Sequence, residues 1–86
     1  MAEYLSPEEA AQIIESAFAP LRCVAEPWDY DHRVKFRVFD AHDQPLLTVE
    51  DLVKSQFSNH AKLREAILAA RENLAQRGVG LDQWAL

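Results

Sequence analysis

The clearest structural signal in the chain is an alternating run, Arg33-Val34-Lys35-Phe36-Arg37-Val38-Phe39. Successive side chains of a β-strand point to opposite faces, so Val34, Phe36 and Val38 share one apolar face and the cationic residues share the other. A register shift of one residue would expose Phe36 to water, and this cost specifies the register strongly. The run therefore predicts the middle strand of an antiparallel sheet with one buried face.

Polar turn residues on both sides of this run predict a strand before it and a strand after it. With residues 29–32 as a four-residue hairpin loop, Ala25 of the preceding strand lies opposite Phe36. A second turn at residues 40–45 returns the chain as a third strand over residues 46–50, in a register that places Val49 opposite Phe36. These segments predict a three-stranded antiparallel meander.

Helices are predicted on both sides of the meander. The run Ser6-Pro7-Glu8-Glu9 combines an N-cap serine, a proline at the first helical position and a capping-box glutamate. The apolar stripe behind it stops at Pro20, because proline cannot continue a helix. A second, longer helix begins after Ser58 or Asn59 and ends at Gly78, which supplies a left-handed cap.

These elements combine into one domain over residues 1–86. We predict an α+β fold, a two-layer sandwich in which a helix, the meander and a second helix follow in the order αβββα. Residues 51–57 fit either a short helical turn or a connector. A chain of 86 residues holds one core, and its 49% hydrophobic and 27% charged residues are typical of globular proteins.

Cysteine usage and hydropathy limit the class of protein. The single cysteine, Cys23, excludes an intramolecular disulfide and a multi-thiolate zinc site within the chain. No apolar run approaches the roughly 18 residues that a spanning helix needs, and the N-terminus lacks the features of a signal peptide. We therefore expect a cytoplasmic protein without membrane contact that is held together by packing.

The charge distribution disfavours nucleic acid as a partner. The formal net charge of -5 and the pI near 5.0 have the wrong sign for binding a phosphate backbone. Up to His32 the chain carries seven Asp or Glu residues against one Arg, so its first third forms an acidic surface. In the predicted sheet, Lys35 lies between Glu26 and Glu50, which partly compensates the cationic face of the middle strand.

One alternative function is RNA binding, because helix, three strands and helix is also the order of double-stranded-RNA-binding domains. Those domains approach phosphates with a basic cluster at the start of the second helix. The corresponding segment here has only two certain cations, Lys62 and Arg64. Element order alone is an analogy, so RNA binding is the subordinate alternative.

The residues that carry chemistry form no recognisable catalytic or metal-binding pattern. The three histidines lack the spacing that would aim them at one metal ion. The two glycines, Gly78 and Gly80, follow the last helix and form no phosphate-binding loop. Cys23 falls on the predicted core face, where a thiol is inert. We therefore expect no enzymatic activity, no metal and no cofactor.

The solvent face of the sheet and the C-terminal tail are the candidate interaction surface. Aromatic side chains interleaved with arginines are typical of protein-binding hot spots, and they also form intramolecular cation–π pairs. Trp84 docks either on its own core or on a second subunit. The candidate residues are Arg22, Val24, Trp28, Arg33, Arg37, Phe39, Leu46 and Trp84. We predict a small non-enzymatic protein-interaction or regulatory module that binds a protein partner or a second copy of itself.

The first half of the chain contains the segments Ile13-Ile14-Glu15-Ser16-Ala17-Phe18-Ala19-Pro20-Leu21-Arg22-Cys23 and Val38-Phe39-Asp40. In these segments it resembles a family of short bacterial proteins, mostly from pseudomonads, that is described as a domain of unknown function. The resemblance implies a bacterial cytosolic protein and brings no activity, ligand or catalytic residue. Phe18 and Cys23 therefore keep the core roles that the residue pattern predicts for them.

Overall fold

The computed structural model of the protein describes residues 4–84. Residues 1–3 and the last two residues of the apolar tail, Ala85 and Leu86, lie outside the described part. The elements are α1 (Pro7–Ser16), β1 (Arg22–Trp28), β2 (Arg33–Phe39), β3 (Pro45–Val53), α2 (Lys54–Phe57) and α3 (His60–Gln76). The predicted α+β fold, a helix and a three-stranded antiparallel meander followed by helices, is confirmed.

The first helix begins as its sequence predicts. The backbone N–H of Glu9 donates to the Ser6 hydroxyl at 3.1 Å, and the backbone N–H of Ser6 donates to the Glu9 carboxylate at 2.9 Å. These hydrogen bonds satisfy two helix-terminal donors and lower the pKa of Glu9, mainly through the Ser6 N–H. Helix α1 ends at Ser16, before the end of its apolar stripe, yet Phe18 stays fully buried in the turn that follows.

The hairpin between β1 and β2 has the predicted register. Ala25 lies opposite Phe36, and Trp28 lies opposite Arg33 at the end of the ladder. The four-residue loop that joins the strands holds three consecutive residues with left-handed backbone, Asp29, Tyr30 and Asp31, at φ of 55°, 54° and 66°. None of the three is glycine, so this tight loop is conformationally strained.

The pairing of β2 with β3 follows the prediction in the middle of the sheet and departs from it at both ends. Phe36 lies opposite Val49 as predicted. The predicted one-to-one pair of Lys35 with Glu50 is not formed, because a β-bulge leaves the two residues Glu50 and Asp51 opposite Lys35. Strand β3 therefore continues to Val53, and the remainder of the stretch that the sequence leaves open forms α2.

The core lies between the sheet and the helices. Val34, Phe36 and Val38 of β2 are buried beneath the apolar residues of the helices, and the Phe36 ring stacks on Phe18 with centroids 5.6 Å apart. Phe57 of α2 is fully buried as well. The buried residues of α3 are Leu63, Ile67, Ala70 and Leu74. Packing of these side chains is the main stabilising contribution to the domain.

The C-terminal tail returns along the helical layer. Helix α3 ends at Gln76, and Gly78, two residues later, takes the predicted left-handed conformation at φ 84°. Arg71 of α3 then donates one guanidinium N–H to the backbone carbonyl of Ala17 and another to that of Asp82, the second at 2.6 Å. This bridge holds the tail beside α1, and Trp84 packs against the domain's own core.

Candidate functional site

The candidate site is the side of the sheet that faces away from the helices, which we term the open face. Strand alternation places cationic and aromatic residues of β1 and β2 there, because their neighbours in sequence are committed to the core. Strand β3 adds Thr48 and Glu50 to the same face. The β1 and β2 residues of the open face are Arg22, Val24, Glu26, Trp28, Arg33, Lys35, Arg37 and Phe39.

Each aromatic ring of the open face has a cation over it. The Arg22 guanidinium lies 4.0 Å from the centroid of Phe39, and Arg33 and Lys35 lie 5.6 and 5.7 Å from Trp28. Both rings therefore form the intramolecular cation–π pairs that the sequence left open as an alternative to a protein-binding hot spot. Pairs of this kind contribute about 0.5–1 kcal/mol at exposed sites and keep the rings flat against the sheet.

Carboxylates neutralise the same three cations. Arg22 lies 3.2 Å from a carboxylate oxygen of Asp43, Arg33 lies 3.5 Å from Asp29, and Lys35 lies 3.4 Å from Glu26. Exposed ion pairs contribute only about 0–1 kcal/mol each to stability, yet they remove net positive charge from the face. The open face is thus nearly neutral, which does not suit a polyanion.

Trp28 is fixed across the sheet by a long-range hydrogen bond. Its indole N–H donates at 2.8 Å to the backbone carbonyl of Glu50, in the bulge of β3. The side chain therefore spans from β1 over Lys35 of β2 to β3, and it is still 37% exposed. A rigid aromatic that already has its hydrogen-bond partner loses little conformational entropy when a partner covers it.

A shallow groove of about 200 Å³ lies on the open face, and two of its lining residues, Lys35 and Glu50, also contact Trp28. Val24, Arg37, Phe39 and Glu50 are among its lining residues. Arg37 donates to the Thr48 hydroxyl at 3.0 Å and, within residues 4–84, has no carboxylate at ion-pair distance. The groove is smaller than the roughly 300–1,000 Å³ that drug-sized ligands occupy. It fits a side chain better than a substrate molecule.

Two of the candidate residues lie away from the open face. Leu46 is the extra residue of a second irregularity in β3, which turns it to pack partly buried against the core. Trp84 packs on the helical layer beside Leu68. The sequence placed eight candidate residues on one surface. Only six of them, all in β1 and β2, lie together on the open face.

Among residues 4–84, four exposed large hydrophobic residues were not singled out in the sequence, Tyr4, Tyr30, Val53 and Leu68, and two of these, Tyr30 and Val53, lie at the end of the sheet near the first hairpin. Tyr30 at the tip of the first hairpin is 94% exposed, and Val53 at the end of β3 is 38% exposed. Val53 lies opposite Arg33 and so extends the open face toward the hairpin loop. The exposure of Tyr30 could have been inferred from its position in a polar loop. The exposure of Val53 depends on the bulge that lengthens β3.

The groups with shifted pKa values have structural causes. Burial, with a smaller contribution from the Glu15 carboxylate, raises the pKa of the Cys23 thiol to about 12. The pKa of Asp40 is lowered because its carboxylate accepts backbone N–H groups in the turn, chiefly that of Gln44. Neither residue lines the groove of the open face. Within residues 4–84 no cluster of His, Cys, Asp and Glu has a metal-binding arrangement, and no helix is long and apolar enough to cross a membrane.

Comparison with known proteins identifies one family. The model of a family described as "Protein of unknown function (DUF1652)" matches residues 8–74 of the chain. The match thus runs from α1 to near the end of α3, beyond the first-half segments that carry the resemblance in sequence. No curated protein and no solved structure matches the chain.

Proposed function

Since the chain belongs to the DUF1652 family of proteins of unknown function, we propose from its surface chemistry that it is a non-enzymatic protein-interaction module. The partner, another protein or a second copy of the chain, docks on the open face of the sheet. The candidate contact residues are Arg22, Val24, Trp28, Arg33, Arg37 and Phe39.

The arrangement around Arg37 is the observation that carries this proposal. Arg37 lies in the groove between Val24, which is 41% exposed, and the Phe39 ring, and it is the open-face cation without a carboxylate partner in the described residues. An arginine beside aliphatic and aromatic surface is the composition of binding hot spots. A partner's carboxylate would complete this group, while Trp28 supplies a rigid rim.

The positions of the shifted groups support a binding role over a catalytic one. A catalytic acid, base or nucleophile needs a pKa matched to its task within a cleft. The raised pKa of Cys23 leaves a neutral thiol in the core, and Asp40 and Glu9 serve a turn and a helix start. The groove instead combines charge and apolar surface, which suits recognition.

The size of the open face sets the expected affinity. Strands β1 and β2 have seven residues each, so with strand spacing near 4.8 Å and a rise near 3.3 Å per residue the face measures about 14 by 23 Å. Its flat area is therefore about 320 Å², well below the roughly 800 Å² per partner that standard interfaces bury, as in weak, transient complexes. We therefore expect reversible binding in the micromolar range.

The test is an amide-resolved NMR dilution series from millimolar to micromolar protein, combined with affinity capture from the native cell. The proposal predicts that amides around Val24 and Arg37 shift with dilution, or that a captured protein is lost with Arg37→Glu. Arg64→Glu is the matched control, because Arg64 is exposed on α3 with no ion pair in the described residues. Unshifted open-face amides, together with equal capture by both variants, would contradict the proposal.

Duplex RNA is the second candidate partner, and the order of the secondary-structure elements is what favours it. At the start of α3, Lys62 lies 3.9 Å from the Glu65 carboxylate, so one of the two certain cations is partly neutralised. RNA binding predicts retardation of duplex RNA at ~50 mM salt that weakens steeply as salt is raised. No retardation at that salt concentration eliminates this candidate.

A further inference from the structure

Strand β1 forms one edge of the sheet, and its outward-facing backbone groups follow from one hydrogen bond. The backbone N–H of Ala25 donates at 2.9 Å to the Glu15 carboxylate of α1, so it points away from β2. Backbone groups in an antiparallel strand alternate in direction, so the groups of Cys23 and Pro27 point outward as well. These three residues are the positions at which another strand would pair.

Two of the three outward positions have no free N–H donor for pairing. Pro27 has no N–H to donate, which is a common feature of protected edges. The N–H of Ala25 is occupied by Glu15, and Ala25 lies at the centre of the three positions. Only the N–H of Cys23 is left as an outward donor between these residues.

The location of Glu15 is unfavourable for α1 itself. Glu15 is the residue before the last in the helix, and the dipole makes a carboxylate at a helix C-terminus unfavourable. A residue that breaks a local rule in this way commonly serves another purpose. The hydrogen bond to β1 gives Glu15 such a purpose.

We propose that Glu15 protects the edge strand β1 from β-strand addition by a second copy of the chain. Two β1 strands with Ala25 opposite its symmetry mate would exchange two hydrogen bonds between the alanines. They would gain two more from Cys23 N–H groups to Pro27 carbonyls. Glu15 occupies the central donor, and each copy would also bring its carboxylate to the same place, where like charges repel.

The opposite edge, on β3, is protected by different means. The two irregularities of β3 interrupt its pairing pattern near both ends. In addition, the Val53 N–H donates to the Gln56 side chain at 3.2 Å, and the Leu46 carbonyl accepts from Arg77. At β1, by contrast, protection comes from Pro27 and from one hydrogen bond to the Glu15 side chain.

The test compares Glu15→Ala and Glu15→Gln with Glu8→Ala. The Gln variant keeps an oxygen acceptor for the Ala25 N–H and removes the charge, so it separates the hydrogen bond from repulsion. Glu8 is exposed on the same helix and makes no hydrogen bond or ion pair within residues 4–84. Alanine favours helix, so Glu15→Ala does not weaken α1 by propensity.

The readouts are hydrogen exchange at the Ala25 amide and molar mass by light scattering over a concentration series. In samples dilute enough for Glu15→Ala to be monomeric, we expect its Ala25 amide to exchange at least about tenfold faster than in the wild type, as loss of one charge-assisted hydrogen bond implies. At higher concentrations we expect self-association beyond that of the wild type. Glu15→Gln keeps Ala25 protected, and Glu8→Ala behaves as the wild type.

Three results would contradict the proposed role of Glu15 at the edge of β1. The first is an unprotected Ala25 amide in the wild type, a measurement that stands even where Glu15→Ala does not fold. The second is unchanged Ala25 exchange in Glu15→Ala, and the third is an unchanged molar mass. A double variant with Glu15→Ala and Arg37→Glu distinguishes edge pairing from the proposed function. Self-association through β1 edges persists in this variant, whereas docking on the open face does not.

Discussion

Replacing Phe36 with Ala tests the division of the sheet into a buried face and an open face. The Phe36 side chain is 2% exposed, and its ring stacks on Phe18 at 5.6 Å. Large-to-small changes at such sites cost about 3–5 kcal/mol, of which an aromatic pair accounts for about 0.5–1.5 kcal/mol. Unfolding free energies of roughly 0.05–0.15 kcal/mol per residue give about 4–13 kcal/mol for 86 residues. The variant should therefore lose about a quarter or more of its stability.

The assay is urea unfolding followed by circular dichroism and tryptophan fluorescence, with the midpoint and slope fitted together. Phe39→Ala is the matched control, because it changes the same residue type on the same strand but on the open face, where the ring contacts Arg22. We expect its cost to stay near 1 kcal/mol, the value of an exposed cation–π pair. Equal costs for the two variants, or a cost of Phe36→Ala below about 1 kcal/mol, would refute the assignment of faces.

Three further predictions concern the tail, the thiol and the hairpin. Arg71→Met removes the two hydrogen bonds that Arg71 donates, one of them to Asp82 of the tail, so it should cost about 1–3 kcal/mol and shift Trp84 fluorescence to the red, whereas Arg64→Met should do neither. Cys23 should resist thiol reagents at pH 8 until urea is added. The pKa of the Cys23 thiol is 9.0 in the unfolded chain and about 12 in the folded protein. Its contribution to stability is therefore complete below pH 9 and is lost as the pH rises from 9 toward 12. Unfolding free energies measured at pH 8 and pH 11 test this loss. Tyr30→Gly should raise stability by about 0.5–1 kcal/mol in thermal unfolding, because glycine adopts φ 54° without strain and the lost side chain is exposed. A stability loss in that variant would contradict the strain argument.

The part of the fold that the sequence predicts is the part governed by local rules. Alternation in β2 sets the register of the first hairpin, and the Ser6 capping box and Gly78 set helix ends. The bulge at Glu50 and Asp51 has no comparable signal, because an extra residue in a strand is tolerated by many sequences. The prediction for residues 51–57 remained open for this reason.

The candidate site likewise contains positions that local rules predict and positions that they do not. Residues of β1 and β2 reach the open face because alternation alone places them there, as for Val24 and Arg37. Leu46 departs because its position depends on an irregularity of β3, and Trp84 departs because Arg71 ties the tail to the helical layer. No sequence periodicity encodes the irregularity of β3 or the hydrogen bonds by which Arg71 bridges Ala17 and Asp82. The hydrogen bond from Ala25 to Glu15 is equally non-local.

The most direct test of the central claim is covalent side-chain footprinting of the protein in its native lysate and as a dilute purified sample. If the open face is the docking surface, Val24, Arg37 and Phe39 become protected in the lysate. Tyr4 and Leu68, which are 72% and 39% exposed away from that face, keep their labelling. Protection confined to Leu68 and the tail, with the open face labelled equally in both samples, would contradict the account.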